Sequence, residues 1–195
     1  MQESNSYPLN IWERAQCLSR QSHILCNIKE ITLWKISKMK SVFILSISPR
    51  MLLESLRISK CDELKHIIID TRDNDSIRGT VFPKLRKLFV DNCVQLEYIV
   101  GHYTDAHENH REIHLHLPAL ESFHLWKLPS LVGMCPKQYH TTFPSLKYLF
   151  LKECPQFNIK SIGDLITHRS VTRSMDSTFI KVSILISIYL CCLSI

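Results

Sequence analysis

Cysteine and histidine have the widest chemistry in this sequence, since both residue types ligate metals and both take part in nucleophilic catalysis. The 195-residue chain contains eight cysteines and ten histidines. No two cysteines stand at the Cys-x-x-Cys spacing of a structural zinc site. No nucleophile motif typical of an enzyme family surrounds a cysteine, serine or histidine. The sequence therefore predicts no catalytic residues and a protein that is not an enzyme.

The histidines are unevenly spread, and five of them fall within one stretch of 15 residues. They are His102, His107, His110, His114 and His116. A tract of this kind can bind a transition metal. The stretch also carries threonine, asparagine, aspartate and glutamate, which is the composition of a solvated loop. The loop is the favoured interpretation and metal binding the alternative, and we expect no metal and no cofactor.

Glycine is scarce, with four residues in the whole chain. A P-loop needs the pattern G-x-x-x-x-G-K-[ST], and a dinucleotide fingerprint needs G-x-G-x-x-G. The nearest two glycines, Gly79 and Gly101, are 22 residues apart, so neither phosphate-binding pattern can be built. Both of these glycines are expected to lie in variable insertions of the chain.

The charge distribution argues for a soluble surface. The net charge is +6, from 24 basic and 18 acidic residues. The basic residues are scattered, with no run of four, so we expect no nucleic-acid partner. The first ten residues lack the basic-then-apolar order of a signal peptide. We therefore expect a cytoplasmic location, where cysteines remain thiols.

An internal repeat supplies the elements that must position these residues. Each unit has apolar residues at positions 1, 4 and 6, cysteine or an aliphatic residue at position 9, and apolar residues at positions 12 and 15. Outside position 9 the five units offer 25 apolar positions, and 24 are filled, although only 45% of the chain is hydrophobic. The exception is Lys160. The units begin at Ile28, Leu53, Leu85, Leu120 and Leu146.

The unit predicts a short strand followed by a return across the core. Positions 4 and 6 alternate as on one face of a strand, whereas the spacing of three at positions 9, 12 and 15 favours loop, 3-10 or short helix. One unit cannot bury its apolar face alone, so the units stack with their strands in parallel. The fold class predicted is α/β: a solenoid of about five irregular repeats, with a parallel sheet on the concave face and loops or short helices on the convex face.

Two details of the unit bear on its turns. Pro83, Pro118 and Pro144 each precede a unit by two positions, where proline is tolerated because the strand ladder has not begun. Cys61 and Cys93 fill position 9 of neighbouring units, where a small side chain fits the turn after the strand. Their spacing leaves a disulfide open, and a reducing compartment argues against it.

The pattern L-x-x-L-x-L-x-x-N/C-x-L is that of leucine-rich repeats. The chain adds a second L-x-x-I step after position 9, a leading Phe-Pro-x-Leu and an uneven repeat length. With these features, about residues 25 to 160 resemble the C-terminal repeat region of a plant family, the coiled-coil nucleotide-binding leucine-rich-repeat disease-resistance proteins. The resemblance implies a recognition and scaffold module of innate immunity. It implies a protein partner, either a pathogen effector or the nucleotide-binding domain of a receptor. The family's nucleotide switch lies in another domain, so none of its residues can be carried over.

Strand alternation predicts which side chains face outward. Aromatic and basic residues are enriched at protein interfaces, and here they recur on the outward side of the predicted strands. The alternative is that neighbouring loops or a further domain cover these rings. The predicted partner-binding residues of the concave face are Trp34, Arg57, Lys87, Phe89, His124, Trp126, Tyr148 and Phe150.

The chain divides by composition into four parts. Residues 1–24 are a leading segment, 25–162 the repeat domain, 163–178 a polar linker and 179–195 an apolar tail. The last 14 residues of the tail lack charge, which is short for a membrane span. We expect a terminal cap or an aberrant end, with a membrane anchor as the alternative. A ubiquitin-ligase substrate adaptor is a second alternative function, although it would need an F-box-like segment and the first 24 residues are too few.

Overall fold

Short strands dominate the fold, and one of them recurs at the same position of every repeat. In this computed structural model the described residues are 26–45, 48–70, 78–102, 113–136, 139–158, 161–162, 172–173 and 179–183. A short 3-10 helix lies at Ser48–Arg50. In chain order the strands are β1 (Glu30–Trp34), β2 (Ser41–Ile44), β3 (Ser55–Ser59), β4 (His66–Asp70), β5 (Arg78–Thr80), β6 (Lys87–Asp91), β7 (Tyr98–His102), β8 (Ile113–His116), β9 (Ser122–Trp126), β10 (Tyr139–Thr142), β11 (Tyr148–Lys152), β12 (Thr172–Arg173) and β13 (Phe179–Ser183).

The main sheet contains the strand of each repeat. Its order is β1-β3-β6-β9-β11-β13-β12, and its first five strands are parallel. Each of those five occupies positions 3 to 7 of its repeat. The register pairs equal positions, so that Thr32 lies opposite Arg57, and Arg57 opposite Phe89. The predicted stack of five repeats with a parallel sheet is confirmed.

The segments between the main strands, which return across the core, differ from the expectation of loops or short helices. In the described residues they form two further parallel sheets, one of order β2-β4-β7 and one of order β10-β8-β5. A segment that crosses the core buries backbone N–H and C=O groups, and these must find partners. The same segment of the next repeat lies alongside and supplies them, as where the amide of Leu45 donates to the carbonyl of Ile69 at 2.9 Å. Strands therefore lie where loops or short helices were expected in the described residues, and the α/β class stays a prediction.

The core is one continuous stack of the inward residues. Phe123, Leu125 and Leu128 are fully buried, and the residues at positions 4 and 6 of the neighbouring repeats are buried as well. The residue before each leading proline also belongs to this core. Phe82 is buried edge-on against Phe43, with ring centroids 5.0 Å apart, and its carbonyl accepts from the amide of Leu85 at 3.0 Å. The apolar residue before the proline thus closes the turn into the next strand.

The position-9 cysteines satisfy the turn with their thiols, and of these Cys61 and Cys93 are buried while Cys154 is half-buried. The Cys61 thiol donates to the Ser59 carbonyl at 3.6 Å, and the Cys93 thiol to the Asp91 carbonyl at 3.4 Å. Cys154 donates to the Lys152 carbonyl at 3.4 Å in the same way. A hydrogen bond to Cys61, together with burial, raises the pKa of Cys93. Cys61, Cys93 and Cys154 are free thiols, as the predicted turn role requires.

The turn that follows each main strand has a left-handed backbone. The residue at position 8 has a φ of 52° to 56° in all five repeats, and in the first four its amide extends the ladder, as where Lys35 donates to the Ser59 carbonyl at 3.0 Å. This conformation costs about 1–2 kcal/mol for a residue with a Cβ. None of the five is glycine, which is one reason why the chain contains so few glycines. They are Lys35, Lys60, Asn92, Lys127 and Glu153.

Replacing Lys60 by glycine is expected to stabilise the fold. Glycine takes a positive φ without steric conflict, so relief of the left-handed strain outweighs the added chain entropy by about 0.5–1 kcal/mol. Urea unfolding measures the change. Lys87→Gly, in an extended strand, is the control and is expected to lose about 0.5–1 kcal/mol. Equal losses in both variants would show that position 8 carries no strain.

The proposed domain boundaries remain predictions. The leading segment and residues 184–195 of the tail lie outside the described residues. Residues 179–183, the beginning of the predicted tail, form β13, which pairs antiparallel with β11. Within the described ranges no helix has the length and apolar character that crossing a membrane requires.

Candidate functional site

The outward side chains of the main sheet form a surface that we call the outer face. It consists of positions 3, 5 and 7 of the five parallel strands, since positions 4 and 6 point into the core. Because the register pairs equal positions, these side chains form three straight rows across the sheet. The row at position 5, here the central row, consists of Thr32, Arg57, Phe89, His124 and Phe150.

The central row contains a column of planar groups in contact with one another. The guanidinium carbon of Arg57 lies 5.3 Å from the centroid of the Phe89 ring. The ring centroids of Phe89 and His124 are 4.5 Å apart, and those of His124 and Phe150 are 5.5 Å apart. Parallel strands about 4.8 Å apart bring such side chains into contact when they share a register position. Four strands therefore present one continuous column of planar groups to solvent.

The centre of this column is uncharged. His124 is half-buried between two phenylalanine rings, and this burial lowers the pKa of its imidazole below the usual 6.5. Its Nε2 lies 3.5 Å from the Ser122 hydroxyl. At neutral pH the column is therefore apolar in the middle, with the charge of Arg57 at one end.

The lowered pKa of His124 predicts a loss of stability in mild acid. The unfolded chain binds a proton near pH 6.5, whereas the folded chain binds it only at lower pH, so unfolding becomes easier as the pH falls from 7 through that range. His124→Phe removes this contribution. We expect the unfolding free energy of the variant to fall less than that of the natural chain between pH 7 and about pH 5. Parallel pH dependences in urea titrations would contradict this.

The row at position 7, the flanking row, adds two tryptophans and a fixed carboxylate. Asp91 Oδ2 accepts hydrogen bonds from the Ser59 hydroxyl at 2.8 Å and from the side-chain amide (Nδ2) of Asn92 at 2.9 Å. The indole N–H of Trp126 donates to Glu153 Oε1 at 3.1 Å. Trp34 is more exposed, with 58% of its surface accessible.

Lysines lie over both tryptophan rings. Lys35 Nζ is 4.6 Å from the ring centroid of Trp34. Lys127 Nζ and Lys152 Nζ lie 4.9 Å and 5.8 Å from the ring centroid of Trp126. Cations at these distances are attracted by the negative faces of the rings. The contacts hold the indoles in place and keep positive charge beside them.

The central and flanking rows together enclose an open groove of about 550 Å³. Half of its lining residues are aromatic, and its polar groups are the hydrogen-bonded Asp91 and Ser59 together with Arg57, Thr32 and the imidazole of His124. The residues that shape it include Trp34, Arg57, Phe89, His124, Trp126 and Phe150.

All eight residues predicted as the binding surface lie on the outer face. Six of them line the groove, whereas Lys87 and Tyr148 stand in the third row, at position 3, and are exposed outside it. Trp34 and Trp126 share a row but are separated by the strands of Ser59 and Asp91. The geometry brings the predicted residues together, and their binding role stays a prediction.

A ladder of alternating charge beside the outer face was not anticipated. Lys29 pairs with Glu54 at 3.3 Å, while Glu121 pairs with Arg86 at 3.0 Å and with Lys147 at 3.4 Å. The pKa of Glu121 is lowered, mainly because its carboxylate accepts a hydrogen bond from Arg86. These five residues all hold position 2 of a repeat. A charged residue of alternating sign at that position was the available sequence signal, and such pairs favour the correct register of the strands.

The histidine tract gives no metal cluster in the part of the chain that the structure describes. No group of three histidine, cysteine, aspartate or glutamate side chains converges there. His114 and His140 stack with ring centroids 5.1 Å apart, and His116 Nδ1 lies 2.7 Å from the Thr142 hydroxyl. His107 and His110 fall outside the described residues.

Stacked repeats, each giving one parallel strand with inward leucines and a cysteine turn, define a leucine-rich-repeat domain. A family profile described as "Plant disease resistance protein RPS2-like, leucine-rich repeats" matches residues 51–160, more than half of the chain. The chain belongs to this family, which confirms the resemblance seen in the sequence. Neither the comparison with curated proteins nor that with solved structures gives a match.

Proposed function

We propose that this chain is the non-catalytic recognition module of a plant innate immune receptor, and that it binds a protein through the outer face. The partner is a pathogen effector or the nucleotide-binding domain of the receptor itself, in the cytoplasm. The leucine-rich repeats of resistance proteins serve as interaction modules, which supports a binding role. The observation that carries the proposal is the solvent-facing column of Arg57, Phe89, His124 and Phe150.

The outer face has the properties of a protein interface. Its rings contribute little to the core, since Trp34, Trp126 and Tyr148 keep 58%, 39% and 60% of their surface accessible. Large aromatic side chains that become desolvated in a complex supply much of its binding energy. Stacking holds Phe89 and Phe150 against His124 before a partner arrives, so little side-chain entropy is lost on binding.

Polar side chains of the groove are already engaged with their neighbours, and Ser122, whose hydroxyl lies 3.5 Å from His124 Nε2, is outside the groove. Asp91 is held by Ser59 and Asn92, and His124 stands between two rings. Catalysis by a nucleophile would need a base within hydrogen-bond reach of it and free to move a proton. A binding surface accounts for these residues more directly.

The double variant Trp126→Ala, Phe150→Ala tests the proposal. We expect at least a tenfold loss of affinity for the partner, because two interface aromatics are removed. The unfolding free energy should change by no more than about 1 kcal/mol, since Trp126 is exposed and Phe150 is half-buried at an outward position of the sheet. Pull-down against receptor nucleotide-binding domains and candidate effectors gives the affinity, and urea unfolding gives the stability.

Val94→Ala, Val132→Ala is the matched control. Both valines are exposed, at 46% and 37%, and neither belongs to the outer face. This variant should bind as the natural chain does. Unchanged binding by the aromatic double variant would reject the outer face as the interface. A loss of several kcal/mol of stability in that variant would show instead that the rings belong to the core.

A further inference from the structure

We propose that the ligand of the outer face is an extended acidic peptide segment that carries a large apolar side chain between its acidic residues. This inference rests on the proposed function, because it assigns a partner chemistry to the same surface. It follows from three features: the charge on the face, the place of that charge relative to the aromatic column, and the spacing of the strands.

Positive charge predominates on the outer face and its position-8 turns. The acidic residues there are Glu30, Asp91 and Glu153. Two of these three already accept hydrogen bonds from the same surface: Asp91 from Ser59 and Asn92, and Glu153 from Trp126. The cationic residues, twice as numerous, are Arg57, Lys87, Lys152, Lys35, Lys60 and Lys127.

Four of these six cations, Arg57, Lys35, Lys127 and Lys152, contact rings, in contrast to the basic residues of position 2, which contact carboxylates. Arg57 lies over Phe89, Lys35 over Trp34 and Lys127 over Trp126. A ring restrains a cation without neutralising its charge, so the positive potential persists at the surface. An acidic ligand is therefore attracted to this face, and a basic one is repelled.

Arg57 is the best placed of these cations to recognise a carboxylate. Its guanidinium lies over the Phe89 ring at the open end of the column and lines the groove. A cation–π contact uses the charge of the guanidinium and none of its N–H donors as hydrogen bonds to a carboxylate, so the fork that pairs with two carboxylate oxygens is retained. The Phe89 contact fixes the position of that fork before a ligand arrives.

The apolar centre and the charged ends set the length of the ligand. The middle of the column, Phe89, His124 and Phe150, is uncharged at neutral pH. Arg57 on β3 lies at one end of it, and Lys152 on β11 lies in the flanking row two residues beyond Phe150, three strand spacings or about 14 Å across the sheet from Arg57. An extended peptide covers that distance in about four residues. The segment that fits has acidic residues at both ends of such a span and an aromatic residue between them.

Fluorescence polarisation of the full chain with synthetic labelled peptides tests the inference. The first peptide has a central tryptophan with two glutamates on each side, separated from it by glycine. The others replace the glutamates by glutamine, the glutamates by lysine, or the tryptophan by alanine. We expect the glutamate–tryptophan peptide to bind at least tenfold more tightly than the other three, and its affinity to fall as salt is raised.

Variants of the chain locate the contact. Arg57→Gln is expected to weaken binding of the glutamate–tryptophan peptide about tenfold or more, and Arg57→Lys to weaken it less, because lysine keeps the charge but loses the fork. Arg86→Gln is the control, since Arg86 pairs with Glu121 at position 2, off the outer face. That variant should bind the peptide as the natural chain does.

The outcomes separate this inference from the proposed function. If the glutamate and glutamine peptides bind equally well, the acidic preference is overturned. If the double variant Trp126→Ala, Phe150→Ala then loses that binding, the outer face still binds peptides. Binding of no peptide, or an unchanged affinity in Arg57→Gln, also overturns the inference. The proposed function is then decided separately, by binding of the receptor domains and effectors.

Discussion

Phe123→Ala is expected to lower the free energy of unfolding by about 3–5 kcal/mol. Phe123 is fully buried at position 4 of the fourth repeat, and its ring centroid lies 6.5 Å from that of Phe143. It lies on β9, which has β6 on one side and β11 on the other, so the cavity would open inside the continuous stack. A domain of this size has only about 5–15 kcal/mol of stability in total.

Urea unfolding monitored by circular dichroism measures this loss. Tyr148→Ala is the control, because Tyr148 lies on the adjacent strand with 60% of its surface accessible, and its removal should change stability by no more than about 0.5 kcal/mol. If the alanine variant does not fold, Phe123→Leu is expected to keep the fold with a smaller loss. Equal stability of the two alanine variants would contradict the inward assignment of position 4.

The main sheet could be predicted from the sequence because its order follows from repetition. Alternation at positions 4 and 6 sets the strand, and stacking of like units sets the pairing. Once Leu88 and Val90 are assigned to the core, Phe89 must face outward, and the same argument places Trp126. The rows of the outer face were therefore predictable by residue number.

The return strands could not be predicted in the same way, because the evidence for them lies between repeats. Within one unit the spacing of three residues, from Cys61 to Leu64 and on to Ile67, suggests a helix or loop, although Ile67 already lies in β4. The strand that follows is stabilised by backbone bonds to the neighbouring repeat, which periodicity within a unit does not reveal. The run Ile67, Ile68 and Ile69, all buried, was the available signal for a strand enclosed on both faces.

The contacts of the candidate site were also beyond the sequence. Residue spacing indicates that Phe89 and His124 are neighbours, but gives neither their separation nor the burial that lowers the pKa of His124. The bonds that Ser59 and Asn92 make to Asp91 depend on side-chain rotamers and on the left-handed φ of Asn92. Such features arise from packing in three dimensions.

Gly101 is the second position at which a large effect is expected. The expectation that Gly79 and Gly101 lie in variable insertions is wrong, because both are in strands, β5 and β7. Gly101 is buried opposite Ile69, and a Cβ added to it would overlap the ring of His66. Nothing lies within 4 Å of a Cβ added to Gly79. The two glycines therefore have different reasons for being present.

Gly101→Ala is expected to cost about 1–3 kcal/mol, because the His66 ring cannot yield without losing its stacked contact with Tyr98 at 6.5 Å. Gly79→Ala, the matched control, should be neutral or more stable by as much as about 1 kcal/mol, since alanine restricts the unfolded chain.

Adding His66→Ala to Gly101→Ala removes the overlapping ring. In a double-mutant cycle measured by urea unfolding, the double variant should lose less stability than the sum of the two single variants. If the losses of unfolding free energy simply add, the strain of Gly101→Ala does not arise from His66. This coupling is the reason to expect glycine at position 101: the ring of one repeat occupies the space that a side chain of the next would fill. The same close approach between repeats makes each unit dependent on its neighbour.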